Sequence, residues 1–202
     1  ISGEETVSKS AWEEFSLAEG PKDRPIKILT TTQIKDNQKA AIFKSYLTGK
    51  IKDGVEITLL DGDKNGLYGE AGSDFIVIGD SPYGLPMSDV VNLNNKLYEF
   101  KMAGPAKVAL KPFAGKTGTV DLAGKFKAAA PLAMAVINSG NNYFDAAGKN
   151  TVVPCETYSL WLGYIEDGGM HAAIRAGGME KITVAEKDAI SGQNAIAVKW
   201  GM

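Results

Sequence analysis

The sequence predicts an all-β protein built of sandwich-like antiparallel sheets, with a short N-terminal arm or helix in front of them. Three observations carry that expectation. Short runs rich in β-branched and aromatic residues recur at about 8–12 residue intervals, the spacing of sandwiches and barrels. Glycine supplies 23 of the 202 residues, about 11 % against a usual level of roughly 7 %, which suits many tight turns. Amphipathic helical periodicity is nearly absent after residue 20.

The elements follow in order. Ser10 and Glu13 have the spacing of a capping box ahead of Phe15 and Leu17, so residues 11–18 read either as a short helix ended by Gly20-Pro21 or as an extended arm. From Pro25 onward the pattern is β. Residues 26–31 alternate loosely, 40–47 form a second run, and 55–59 alternate with period 2 before an Asp/Gly/Asn cluster. Residues 75–78 stop at Gly79-Asp80, and 97–102 follow the turn signal Asn94-Asn95. Residues 108–111 and 119–122 continue the series. A second block begins near Ala123-Gly124 and holds the alanine-rich stretch 128–137, the turn Ser139-Gly140-Asn141-Asn142, and runs at 151–153, 158–164, 172–175, 181–184 and 195–200. Gly168-Gly169 and Gly177-Gly178 stand where hairpin turns belong. Neither tandem repeats nor a flexible linker is present, and the expected organisation is an arm (1–24), a β-domain with an acidic hairpin loop (25–124) and a sandwich-like region packed on it (125–202).

Composition narrows the function. A chain with 24 acidic and 22 basic side chains and a formal net charge of −2 has no general attraction for nucleic acid or anionic membranes. Cys155 is the sole cysteine and His171 the sole histidine, so neither an internal disulfide nor a multi-histidine or cysteine metal site can be built. The longest apolar run, 128–137, is ten residues and contains Pro131, whereas a membrane-spanning helix needs about 20. The sequence starts at Ile1, which fits a removed leader and a trimmed chain equally.

Chemistry has three candidate locations. The first is the segment from Asp61 to Asp74, where Asp61, Asp63 and Asn65 alternate and Gly66 follows. Alternate oxygen side chains closed by a glycine are how a short loop wraps a hard cation. The D-x-D-x-N-G string resembles the first half of EF-hand and dockerin calcium loops. That resemblance implies Ca2+, with side-chain oxygens from Asp61, Asp63 and Asn65 and the carbonyl of Leu67. The family's closing glutamate is replaced by Gly72, so Asp74, or alternatively Glu70, must supply the last acid. Asp, Asn and Gly are also ordinary turn residues, and the segment reads equally as an ion-free loop.

The second location is Gly79-Asp80-Ser81 after the run 75–78, which resembles the strand and Gly-Asp-Ser opening of GDSL esterases. On that resemblance Ser81 is the nucleophile, His171 the base, Asp167 its orienter, and Gly140 and Asn142 the oxyanion donors. Pro82 after the serine and the shortage of helices depart from that family, and the sequence is read as a non-enzyme. The third location is aromatic. Tyr158, Trp161 and Tyr164 with Tyr143 and Phe144 could stack on a sugar, as in a carbohydrate-binding module. Strand register puts Tyr158, Leu160, Leu162 and Tyr164 on one face and Trp161 on the other.

The arrangement is also loosely similar to bacterial surface proteins with one such hairpin and a C-terminal sandwich. The expectation is therefore a secreted, periplasmic or cell-surface structural or adhesive protein with a calcium loop, possible glycan binding, and self-association through the N-terminal arm. Within that arm, Trp12, Phe15 and Leu17 must be buried either on their own domain or on a neighbouring subunit.

Overall fold

The computed structural model of the chain describes residues 12–20, 24–28, 41–43, 46–122, 131–167, 170–175 and 180–186. Among these, regular structure is nearly all strand, and the exception is a 3-10 turn at Lys52–Gly54. In chain order the strands are β1 (Glu13–Ser16), β2 (Ala18–Glu19), β3 (Arg24–Ile28), β4 (Ala41–Phe43), β5 (Tyr46–Lys50) and β6 (Glu56–Leu60). They continue with β7 (Phe75–Ile78), β8 (Tyr83–Pro86), β9 (Val90–Leu93), β10 (Lys96–Gly104), β11 (Lys107–Pro112) and β12 (Thr117–Val120). The last group is β13 (Leu132–Ser139), β14 (Asn142–Asp145), β15 (Thr151–Pro154), β16 (Thr157–Asp167), β17 (Met170–Ile174) and β18 (Ile182–Thr183). No helix among the described residues is long and apolar enough to cross a membrane.

Four sheets result. One runs β1-β11-β10-β9, and a larger one β2-β5-β6-β7-β8-β3-β4. A third is ordered β14-β13-β16-β17 with β18 also on β16, and β12 pairs with β15 as a ribbon. Pairing is antiparallel except between β3 and β8. The first two sheets share a core that includes Ile57, Leu59, Ile76, Phe100, Val108 and Leu110. A second core joins Val120, Ile137, Phe144, Val153, Tyr158 and Leu160. Period 2 makes β9 and β10 the layer between them: Val91, Leu93, Tyr98 and Phe100 enter the first core, Val90 and Leu97 the second. The second core thus draws on strands from both sides of residue 124.

The strand expectation holds for the all-β class, and the structure bears on two details: it decides the choice left open between helix and extended arm, and it corrects the faces of β16. Residues 13–19 are not helical: β1 lies on β11 with Phe15 opposite Val108, and β2 lies on β5. The edge of β11 offers backbone partners that a helix of about two turns with three large apolar residues cannot match. Glu13, rather than closing a cap, ion-pairs with Lys52 at 2.7 Å. Leu17, between the two short strands, is buried and its N–H donates to the Ala106 carbonyl. Trp12 lies under Lys101, whose Nζ is 4.1 Å from the ring centroid. The correction concerns β16. Val136 pairs with Leu162 but Ile137 pairs with Leu160, so Trp161 is an extra residue and the faces exchange there. Tyr158 and Leu160 therefore enter the second core, while Leu162 and Tyr164 pack with Met134, Val136 and Tyr83 in a third cluster.

Besides β1 and β2, three strands went unread in the sequence: β8, which follows Pro82 and ends on Pro86, the four-residue β9, and the polar-aromatic β14. Residues 29–31 of the run expected at 26–31, the run expected at 195–200, and the turn glycines Gly168-Gly169 and Gly177-Gly178 lie outside the described residues.

Candidate metal centre

Leu60 and Phe75 are paired directly in the β6–β7 ladder, so the residues between them, 61–74, leave and re-enter the sheet at one place. Asp61 and Asp74 are the first residues beyond that pair, and both are buried. Asp63 projects from the exposed part of the loop. One carboxylate oxygen from each of Asp61, Asp63 and Asp74 lies within 4.8 Å of the others. The loop's predicted alternation and its predicted closing acid thus meet at one point.

Backbone amides hold the carboxylates there. Asp61 Oδ1 and Oδ2 accept the Asn65 and Gly66 N–H groups at 3.1 and 2.8 Å. Asp74 Oδ1 accepts Gly62 N–H at 3.0 Å and its Oδ2 accepts Glu70 N–H at 2.9 Å. Asp63 accepts from the Asn65 backbone and from its Nδ2. Asn65 Oδ1 in turn accepts the Leu67 N–H at 2.7 Å. Two glycines are required by geometry. Gly66 has φ +84°, and a Cβ on Gly62 would stand 2.0 Å from the Ser73 carbonyl oxygen.

The electrostatics oppose this arrangement in the absence of a cation. Burial pushes the Asp74 carboxyl above its ordinary value of 3.8, the two amides pull it back down, and the charges of Asp61 and Asp63 push it up again. Like charges this close repel by about 3–4 kcal/mol per pair in surroundings of intermediate polarity. A carboxylate oxygen has two lone pairs, so an oxygen that accepts one amide can still face an ion. The cluster can hold a metal ion. Asp61, Asp63 and Asp74 are brought together as expected, and Asn65 knits them. Leu67, expected to offer its carbonyl, is 60 % exposed and is tied to the loop by its N–H, which donates to Asn65 Oδ1. Glu70 contributes more than the sequence indicated: its carboxylate accepts from Asn65 Nδ2 and its carbonyl accepts the Asp74 N–H.

The other candidate residues lie in different surroundings. Ser81 Oγ donates to the Tyr83 carbonyl and accepts the Tyr83 N–H, both at 3.2 Å. Asn142 Oδ1 accepts Val90 N–H at 3.0 Å, tying β14 to β9, and Gly140 sits in the β13–β14 turn. His171 stands opposite Glu166 in the β16–β17 ladder, one place from Asp167; the side chains of Asp167 and His171 lie outside the described residues. Trp161 is half-buried, edge-on to Tyr143 with centroids 5.7 Å apart at 80°, so the two rings do not form one flat platform. Tyr158 is buried and donates its hydroxyl to the Pro154 carbonyl. A further pair escaped sequence reading: Tyr83 donates its hydroxyl to Glu166 at 2.7 Å across 83 residues of chain. Burial, and then Glu166, push that phenol far up.

Compared with family models, curated proteins and solved structures, the chain matches none of them.

Proposed function

We propose that this chain is a non-catalytic structural or adhesive β-protein of the cell exterior, whose β6–β7 loop binds calcium and is locked by it. The observation that carries the reading is the meeting of Asp61, Asp63 and Asp74 oxygens within 4.8 Å. Oxygen-only donors on a flexible loop suit calcium, which accepts 6–8 ligands at 2.3–2.6 Å, better than magnesium, which demands a near-ideal octahedron. A loop carrying this much like charge is most useful where free calcium is millimolar, which supports an extracellular, periplasmic or surface setting. Assembly through the arm remains compatible with the fold, because exchanging β1 between copies would preserve its backbone pairing with β11.

The test is thermal unfolding of the full chain with calcium and with chelator. Calcium at one hundred times its dissociation constant should stabilise the protein by about 2.7 kcal/mol. Asp63→Ala should abolish the shift while leaving the chelated melting temperature nearly unchanged. Superimposable wild-type curves over a wide range of calcium would remove the basis for the reading.

A further inference from the structure

A cavity of about 320 Å3 lies between β7 and β8 on one side and β14 on the other, beside the β9–β10 turn. That volume is at the small end of ligand pockets. Its floor is apolar, formed by Ile76, Ile78, Leu85 and Val91, and Tyr143 and Asp145 line the facing wall. The polar side chains around it are largely committed to the fold. Ser88 Oγ accepts the Tyr143 N–H, Asn92 donates to the Val152 carbonyl, and Thr151 donates to the Asp145 carbonyl.

Asp145 differs from these neighbours. Its Oδ1 accepts two backbone amides, from Ala135 at 2.9 Å and Ala147 at 3.0 Å. Among the described residues no lysine or arginine forms an ion pair with it. Among the described residues the wall therefore carries one carboxylate without a counter-charge above an apolar floor. A buried charge in that position is costly unless it is paired. A sugar would satisfy the carboxylate with hydroxyls but would leave four aliphatic side chains facing polar groups. A ligand with one positive end and an apolar remainder complements both surfaces.

We propose that this cavity binds a primary ammonium group carried on a short unbranched apolar stem, with the ammonium at Asp145 and the stem over Ile78 and Leu85. Free alkylamines and a lysyl side chain of another chain share that chemistry. The experiment is an amide-resolved NMR titration of the full chain, in calcium so that the acidic loop does not compete. The probes are n-pentylammonium, n-pentanol and a lysine capped at both backbone ends.

Pentylammonium should shift the amides of Asn92, Tyr143, Asp145 and Thr151 and bind at least about tenfold more tightly than pentanol. Asp145→Asn keeps an oxygen for the Ala135 and Ala147 amides and should bind the two probes alike. Capped lysine matching pentylammonium would assign the natural ligand to another chain, and weaker binding would assign it to a free amine. Equal binding of ammonium and alcohol by the wild type overturns the proposal, whether or not the variant folds. So does an ammonium preference that survives Asp145→Asn, a set of shifts away from the cavity, or a monosaccharide that outcompetes the amine there.

Discussion

Asp74 and Asp145 are the same local device set in two different neighbourhoods. Each is an aspartate just outside or at the end of a strand, each accepts two backbone N–H groups, and burial is the first cause raising each carboxyl. The difference is company. Asp74 has Asp61 and Asp63 beside it, whereas Asp145 faces an apolar floor. Amide capping fixes a carboxylate in place but leaves its charge uncompensated, so the number of acids that converge decides the charge of what would satisfy them. Three point to a divalent ion and one to a monovalent cation.

The comparison can be broken most directly by removing the carboxylates. In chelator, Asp74→Ala and Asp145→Ala each orphan two amides, and each should cost about 3 kcal/mol in denaturant unfolding. A loss at Asp145 much smaller than at Asp74 would show that the two caps are not equivalent. The asparagine variants sharpen it. Without calcium, Asp145→Asn should stay within about 1 kcal/mol of the wild type, because the single oxygen that accepts both amides remains and a desolvated charge is gone. Asp74→Asn instead replaces one of two accepting oxygens with an NH2 facing a backbone N–H and should cost about 1–3 kcal/mol. Adding calcium should separate the pair further, stabilising Asp145→Asn as it does the wild type and leaving Asp74→Asn behind.

A smaller effect follows from protonation. The folded Asp145 carboxyl titrates above its ordinary 3.8, so its neutral form contributes stability that is complete below 3.8 and lost as pH rises through the folded value. Asp145→Asn has no such loss, so its stability relative to the wild type should improve as pH rises through that window, read from melting temperatures in chelator. A difference that narrows with rising pH would contradict the sign. The smallest effect belongs to exposed Asp63: in chelator, Asp63→Ala should change stability by no more than about 0.5 kcal/mol.

What could be read in advance divides along the range of the interactions. The loop was legible because its oxygens alternate at Asp61, Asp63 and Asn65 and its ends are set by the alternating run of β6 and the continuous apolar run of β7. Glu70 was harder to read, since its main contribution is backbone, capping Asp74 from four residues away. Asp145 gives no local signal at all. Its partners are Ala135, across the β13–β14 hairpin, and Ala147, and alanines do not announce that their amides need a cap. The bulge at Trp161 was equally hidden, because a register shift belongs to the pairing of β13 with β16 and leaves the alternation of either sequence intact. Conversely, the Ser10–Glu13 spacing invited a helix at a place where an open strand edge offered better backbone partners.

The N-terminal segment has a consequence for the order of events during synthesis. Residues 13–19 pair with β11 of one sheet and with β5 of the sheet facing it. Strand β1 therefore cannot settle until its partners Lys107 to Leu110 have been synthesised, nearly a hundred residues later. Until β1 docks, the first sandwich is open along one side, with the edge of β11 and the seat of Leu17 uncovered. The first sandwich is thus closed by a segment made well before the strand it closes, so its sealing waits on translation of that strand.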